Sequence, residues 1–541
     1  MRPLSPFALS IALLAFPLLH GHESPGAHPH PPEPYPAKDY HRPTPMPDRL
    51  VLTWSGDPST TQAITWRTDT SVTRAIAQLA LATDRPQVTS GDDRVATTTV
   101  FASDLGTAHY HAIELRDLSP ATTYAYRVGD GVNWTEWQHF RTAKQGAAPF
   151  TFVYFGDAQN DVRTHWSRVF REAFRSAPQA AFTLHAGDLI NRAQRDAEWG
   201  EWFGAPGWVN GTVPTLPTPG NHEYWNRGAG PENQRLWTIK EGSAIPVSID
   251  LKTDRDRAGK ATGYRLAAIT ADGRGANATF DAKELFTSVD AGFTTLTGYT
   301  MADLAGREAD NPPLRDRVAN PGVRTLSDHW RVQFTLPRHG PDGLDESVYF
   351  VDYQGARIIS LNSNERQEDQ VAWLRRVLTE NPQRWTILTF HHPIFSPARG
   401  RDNAKLREIW KPLLDEFKVD LVLTGHDHTY ARSGDVSNRA RVGSINVLSG
   451  YNQVYDPAIG TVYVVSVSGP KMYDLTNDSW AVRTAEDTQL FQVISVDADE
   501  LHFESRTATG RIYDAFTLKK RPGQPNALVE ALPPEIRRTR Q

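Results

Sequence analysis

Cysteine is absent from the 541-residue chain. That removes disulfides and thiolate ligands together, so any metal must be held by His, Asp, Asn or Glu, donors that suit hard and borderline divalent ions. Neither sign of charge is in excess: 58 Lys and Arg stand against 63 Asp and Glu, a net charge of −5, with the two signs mixed along the chain. No footprint for nucleic acid or an anionic membrane surface is expected from such a balance. Long apolar runs are scarce as well. Phe7 to Leu19 follows Arg2 and precedes a polar, Pro-rich stretch, and it is too short for a comfortable membrane span. We expect residues 1–21 to be a cleaved secretory signal, leaving no stable membrane insertion. Export without cysteine then fits a secreted or periplasmic bacterial protein.

What is present falls into blocks. Residues 22–47 form a Pro- and His-rich linker, with His22, His28, His30 and His41 among prolines, and are not expected to fold. Short alternating runs recur from Leu50 to Thr142, among them Leu50 to Trp54, Ala63 to Trp66, Tyr110 to Leu115 and Thr123 to Val128. Their spacing predicts an all-β sandwich over 48–143. From 149 to 519 strands alternate with helices: Phe150 to Phe155 precedes a helix with Val162, Trp166, Val169 and Phe170 on one face. Val371, Trp373, Leu374 and Val377 mark a second helix, and Leu406, Trp410 and Leu413 a third. An insertion at about 231–330, rich in charge, Gly and Thr, reads as a lid element on the loop after Asn221. Residues 520–541 read as a disordered tail.

Five apolar runs end in polar clusters: Gly156-Asp157, Gly187-Asp188, Gly220-Asn221-His222-Glu223, His391-His392 and Gly425-His426-Asp427-His428. Strand C-termini are where α/β sheets place ligands. A pair of cations about 3.5 to 4 Å apart needs an anionic bridge, which one buried Asp can provide. A lone Gly-Asp carries no information, since any turn might contain one. His426-Asp427-His428 says more, because alternate residues of an extended segment would direct two imidazoles toward neighbouring ions.

In this order the five clusters resemble the calcineurin-like metallophosphoesterase superfamily, and the preceding sandwich places the resemblance in the purple acid phosphatase branch. The phrase Leu118 to Gly129 is similar to the corner of a fibronectin-III-like domain. The resemblance implies an α/β (α+β) catalytic domain built as a two-sheet β-sandwich flanked by helices, behind an all-β fibronectin-III-like domain. It implies that Asp188 bridges two divalent ions (Mn, Zn or Fe), with Asp157 and His428 on the first and Asn221, His391 and His426 on the second. His222 would face the substrate as a catalytic donor. His392 would support the ligands, Glu223 would orient His222, and Arg399 and Arg401 are candidates to hold phosphate. The implied activity is that of a secreted phosphoesterase acting on small phosphate esters by metal-activated hydroxide attack, in first place a phosphomonoesterase. The rivals are a phosphodiesterase or nucleotidase on the same site, and an inactive surface binding protein on the same scaffold. The oligomeric state is left open. Two departures matter: purple enzymes carry Tyr three residues after the bridging Asp, where this chain has Asn191, and Gln159 stands where many relatives have a His ligand. The first ion would then recruit an amide oxygen from Gln159 or Asn191, or a water, and the protein would be colourless with divalent metal.

Overall fold

The computed structural model describes residues 35–533 apart from 90, 92, 399, 436–453 and 478–479, and within 228–322 it describes only some strands and a few single residues. The expected signal peptide and most of the expected lid lie outside the described residues.

Two four-stranded antiparallel sheets make the N-terminal domain. One holds Asp48–Thr53, Gln62–Thr68, Gly106–Leu115 and Thr97–Ser103, in that spatial order; the other holds Arg94–Val95, Ile76–Leu81, Thr123–Gly129 and Gln138–Arg141. Their inner faces bury Leu52, Ile64, Trp66, Tyr126, Val128 and Phe140. Successive residues of a strand point to opposite faces. Thus Leu52 fills this core while Val51 faces the core of the next domain, and Trp54, just past the end of the strand, packs there on Phe182 and Tyr353. That double burial is why both faces of the strand carry apolar residues.

The second domain is built on two seven-stranded sheets. In the first, Thr215–Pro217, Thr183–His185 and Phe150–Phe155 run parallel and are continued antiparallel by Leu490–Asp497, Glu500–Thr507, Ile512–Arg521 and Gln524–Glu530. In the second, Ala356–Ser360, Trp385–Thr389, Leu421–Thr424 and Val462–Val465 are parallel neighbours. Alternate residues of these strands divide between two cores. Ile358, Ile387, Leu421, Leu423 and Val464 join the first sheet's Phe152 and Tyr154. Ile359, Leu388, Val422 and Val465 meet the helices Gln370–Thr379 and Ala404–Glu416 through Trp373, Leu374, Trp410 and Leu413. Tyr154 Oη donates to Thr424 O at 2.8 Å and Tyr349 Oη to Pro217 O at 2.8 Å, so buried hydroxyls tie one sheet to the other.

Three expected boundaries move. Residues 520–530 are not a loose tail: Gln524–Glu530 forms an edge strand, and Glu530 pairs with the buried Arg432 at 2.7 Å. A charged, Pro-containing stretch hides such a strand, because an edge strand needs few apolar residues. The linker is ordered from 35 onward, with Ala37–Tyr40 helical, the Arg163 guanidinium over the Tyr40 ring at 4.1 Å, and His41 against Gly200. The core resumes at 323 rather than 330. Val323–Leu326 pairs with Tyr224–Arg227, and Asp328–Gln333 is a helix that buries Trp330.

Candidate metal centre

Asp157 lies two residues past Phe155 and Asp188 three past His185, at the ends of adjacent parallel strands. Both carboxylates are buried, at 0% and 1% exposure. Close approach of the loops depends on glycine. A Cβ on Gly220 would lie 2.2 Å from Asp188 Oδ1, and one on Gly425 would lie 2.1 Å from Asp157 Oδ1. These two glycines therefore make room for the carboxylates of other motifs.

On one side of Asp188, His391 Nε2 stands 3.2 Å from Asp188 Oδ2, 3.0 Å from Asn221 Oδ1 and 3.1 Å from His426 Nδ1. The other ring nitrogen, Nδ1, donates to Ala186 O at 2.9 Å and leaves Nε2 to the cluster. On the other side, His428 Nδ1 donates to Lys471 O at 2.8 Å and turns Nε2 to Asp157 Oδ2 at 3.1 Å and Gln159 Nε2 at 3.0 Å. The two halves use the same device: a backbone carbonyl fixes the tautomer and a lone pair faces inward.

This donor set calls for cations. Around His391 Nε2 one ring nitrogen meets three acceptor atoms and has at most one hydrogen to share. Asp157 Oδ2 and Gln159 Oε1 are buried without a hydrogen-bond partner. Burial favours a neutral ring at His391, yet Asp188 and Asp157 outweigh it and push His391 up to about 9, so a positive charge is drawn to this point. Burial and the neighbouring His391 drive His426 far below its ordinary value, and they hold His392 down at about 3. Neutral imidazoles are the form that binds metal.

The residues 47–142 match the purple acid phosphatase N-terminal domain, and 150–262 with 306–430 match the calcineurin-like phosphoesterase domain. The chain belongs to the calcineurin-like phosphoesterases, in their purple acid phosphatase-like branch. An uncharacterised protein of Mycobacterium tuberculosis is 25% identical over 342 residues, covering 59% of this chain and 50% of its own. Purple acid phosphatase 1 of Ipomoea batatas is 30% identical over 118 residues, covering 20% of this chain and 24% of its own. The chain thus spans half or less of the length of these curated relatives. The purple acid phosphatase PPD1 of yellow lupin shares the fold at TM-score 0.56 and 16% identity, over 88% of this chain and 74% of that one. PhoD does so at TM-score 0.52 and 13% identity, over 91% and 93%.

Within this purple acid phosphatase-like chain, the structure brings together Asp157, Asp188, Asn221, His391, His426 and His428, and it changes several details. His426 and His428 are not alternate residues of an extended segment. Both take left-handed backbone, φ 71° and 43°, and the turn between them aims the rings. Glu223 does not touch the His222 ring. Its carboxylate accepts from the backbone N–H groups of Gly220, Asp188 and Leu189, at 2.6, 2.9 and 2.8 Å. His222 is held instead by Asn191 O, 2.5 Å from Nδ1. Asn191 therefore acts through its backbone, whereas the Gln159 side chain sits among the candidate ligands. His392 Nδ1 meets Ser363 Oγ at 2.9 Å, and its ring lies tilted against His426 with centroids 4.3 Å apart.

The phosphate-binding expectation fares differently. Arg399 lies outside the described residues. Arg401 is not free to offer a fork: its Nε donates to Asp427 Oδ1 at 2.7 Å and an Nη to His426 O at 2.8 Å, because the buried Asp427 carboxylate needs a counter-charge. Residues that no motif announces also border the site. Tyr473 packs on His428 with centroids 4.6 Å apart, and an Arg324 Nη is 3.4 Å from Asn221 O. No helix among the described residues is long and apolar enough to cross a membrane.

Proposed function

We propose that this chain hydrolyses phosphate esters, phosphomonoesters in first place, at a pair of divalent ions held by Asp157, Asp188, Asn221, His391, His426 and His428. The observation that carries this reading is the convergence of Asp188, Asn221 and His426 on His391 Nε2 within 3.2 Å. Bound there, the ions would polarise the phosphoryl group and supply an acidified water. The protein's own part is orientation and proton supply. The Ala186 and Lys471 carbonyls fix the rings of His391 and His428, and the His222 backbone N–H holds Asp188 Oδ1 at 2.8 Å. The His222 ring is 26% exposed, with Nδ1 tied to Asn191 O and Nε2 3.9 Å from Asp188 Oδ2. Protonated, it presents Nε2–H to a leaving-group oxygen, as a general acid beside the ligands.

Metal analysis and turnover of p-nitrophenyl phosphate and bis-p-nitrophenyl phosphate, measured in parallel, test the reading. Asp188→Asn is expected to lose both ions together with activity. His222→Ala should keep the ions and lower kcat by roughly 10² to 10⁴. Equal metal loss in both variants would overturn the role of His222. Preference for the diester would move the function to a phosphodiesterase, and no turnover of either ester with both ions bound would leave a binding scaffold.

A further inference from the structure

The two amide residues beside the first-ion ligands are not equivalent. Gln159 is 1% exposed, and its backbone N–H, like that of Ala158, donates to Asp188 O, at 3.0 and 3.1 Å. Those two bonds pin the Asp157 loop to the Asp188 loop and send the Gln159 side chain between Asp188 Oδ2, 2.9 Å from Nε2, and His428 Nε2, 3.0 Å away. Its Oε1 is buried and accepts no hydrogen bond. Asn191 engages its surroundings through the main chain, with N donating to Glu198 Oε2 at 2.9 Å and O accepting from His222.

The two ends of a glutamine amide are alike in shape, and a half-turn of the terminal torsion exchanges them. Facing a carboxylate alone, the NH₂ end must turn inward. With a cation between the same groups, the oxygen end is favoured: the half-turn gives up the Nε2 contacts to Asp188 and His428, which the ion replaces, and brings in an Oε1 that no donor holds.

We propose that Gln159 is a ligand of the first divalent ion through Oε1, completing a set of Asp157, Asp188, Gln159 and His428, and that Asn191 is not a ligand. The proposal rests on the two-ion reading of the site. It makes the ions unlike: the first has three oxygen donors and one imidazole, the second two oxygens from Asp188 and Asn221 and two imidazoles from His391 and His426. The first position thus favours the harder ion, Mn(II) over Zn(II), relative to the second.

Mn(II) titration of the full chain, followed by metal content and by electron paramagnetic resonance, decides it. Wild type should bind two ions with an exchange-coupled spectrum. Gln159→Ala should bind one of them at least about tenfold more weakly, the size of effect known for residues supporting a metal site, and show an isolated-ion spectrum at intermediate Mn(II). Gln159→Glu, which exchanges an amide oxygen for a charged one, should hold that ion more tightly, and Asn191→Ala should match wild type. Unchanged binding in Gln159→Ala, or loss of the ion in Asn191→Ala, overturns the proposal. If Gln159→Ala does not fold, Gln159→Glu decides alone, and affinity no higher than wild type overturns it. Fewer than two ions on the wild type would defeat the two-ion reading, and this ligand assignment with it.

Discussion

Glu223 shows how much of a metal site is held from behind. Burial and the nearby Asp188 charge push its carboxyl up to about 8, against the pull of three amides. Those bonds hold the turn in which Asp188 adopts φ 51°, a left-handed conformation that a residue with a Cβ adopts only under constraint. Glu223→Gln would set an NH₂ against a backbone N–H and leave a buried donor unsatisfied, at about 1 to 3 kcal/mol. We expect a lower denaturation midpoint and weaker binding of both ions, read by thermal melts with and without metal. Unchanged metal affinity would show that the loop keeps its shape without the clamp. At this scale the sequence was informative wherever a glycine and a polar residue end an apolar run. It did not show that Glu223 serves Asp188 rather than His222, since that depends on which backbone amides the fold turns toward it.

Between elements, the junction of the two domains rests on a buried ion cluster. Asp196, at the start of the helix Asp196–Gly204, receives Arg49 Nη1 and Nη2 at 2.7 and 2.8 Å and Arg67 Nη1 at 3.2 Å, with His329 Nε2 3.3 Å away. Burial would raise the Asp196 carboxyl, but His329, Arg49 and Arg67 hold it well below the ordinary range. A depressed acid stabilises the fold above its unfolded pKa of about 3.9 and loses that contribution as pH falls through the folded value. Stability should therefore decline below about pH 4, and Asp196→Asn should remove this part of the acid dependence. At neutral pH the same variant leaves two buried guanidinium groups without their shared carboxylate, and we expect it to be about 3 to 5 kcal/mol less stable in urea. A variant as stable as wild type would mean the arginines find water. None of this cluster was visible in the sequence, where Arg49, Arg67, Asp196 and His329 are scattered charged residues in separate elements.

For the whole molecule, the N-terminal sandwich is part of the phosphoesterase domain's core as well as a neighbour to it. Val51 and Trp54 lie in the catalytic core, and Tyr126 Oη donates to Gly211 O at 2.7 Å. Residues 149–533 expressed alone would expose that apolar surface, and they should aggregate or melt well below the full chain in a light-scattering melt. A soluble, equally stable fragment would show the domains to be independent.

The sequence by itself determined the types of donor available to a metal, the order of the five clusters, and the all-β stretch that precedes the α/β one. These are local properties: an apolar strand, a glycine at its end and a polar residue after it need only neighbouring residues to be recognised. Only the tertiary structure decided the left-handed turns of His426 and His428, the diversion of Arg401 to Asp427, the edge strand Gln524–Glu530 and the place of Gln159 between Asp188 and His428. Each follows from burial, where a carboxylate, an edge or an amide must find its partner in a segment far along the chain.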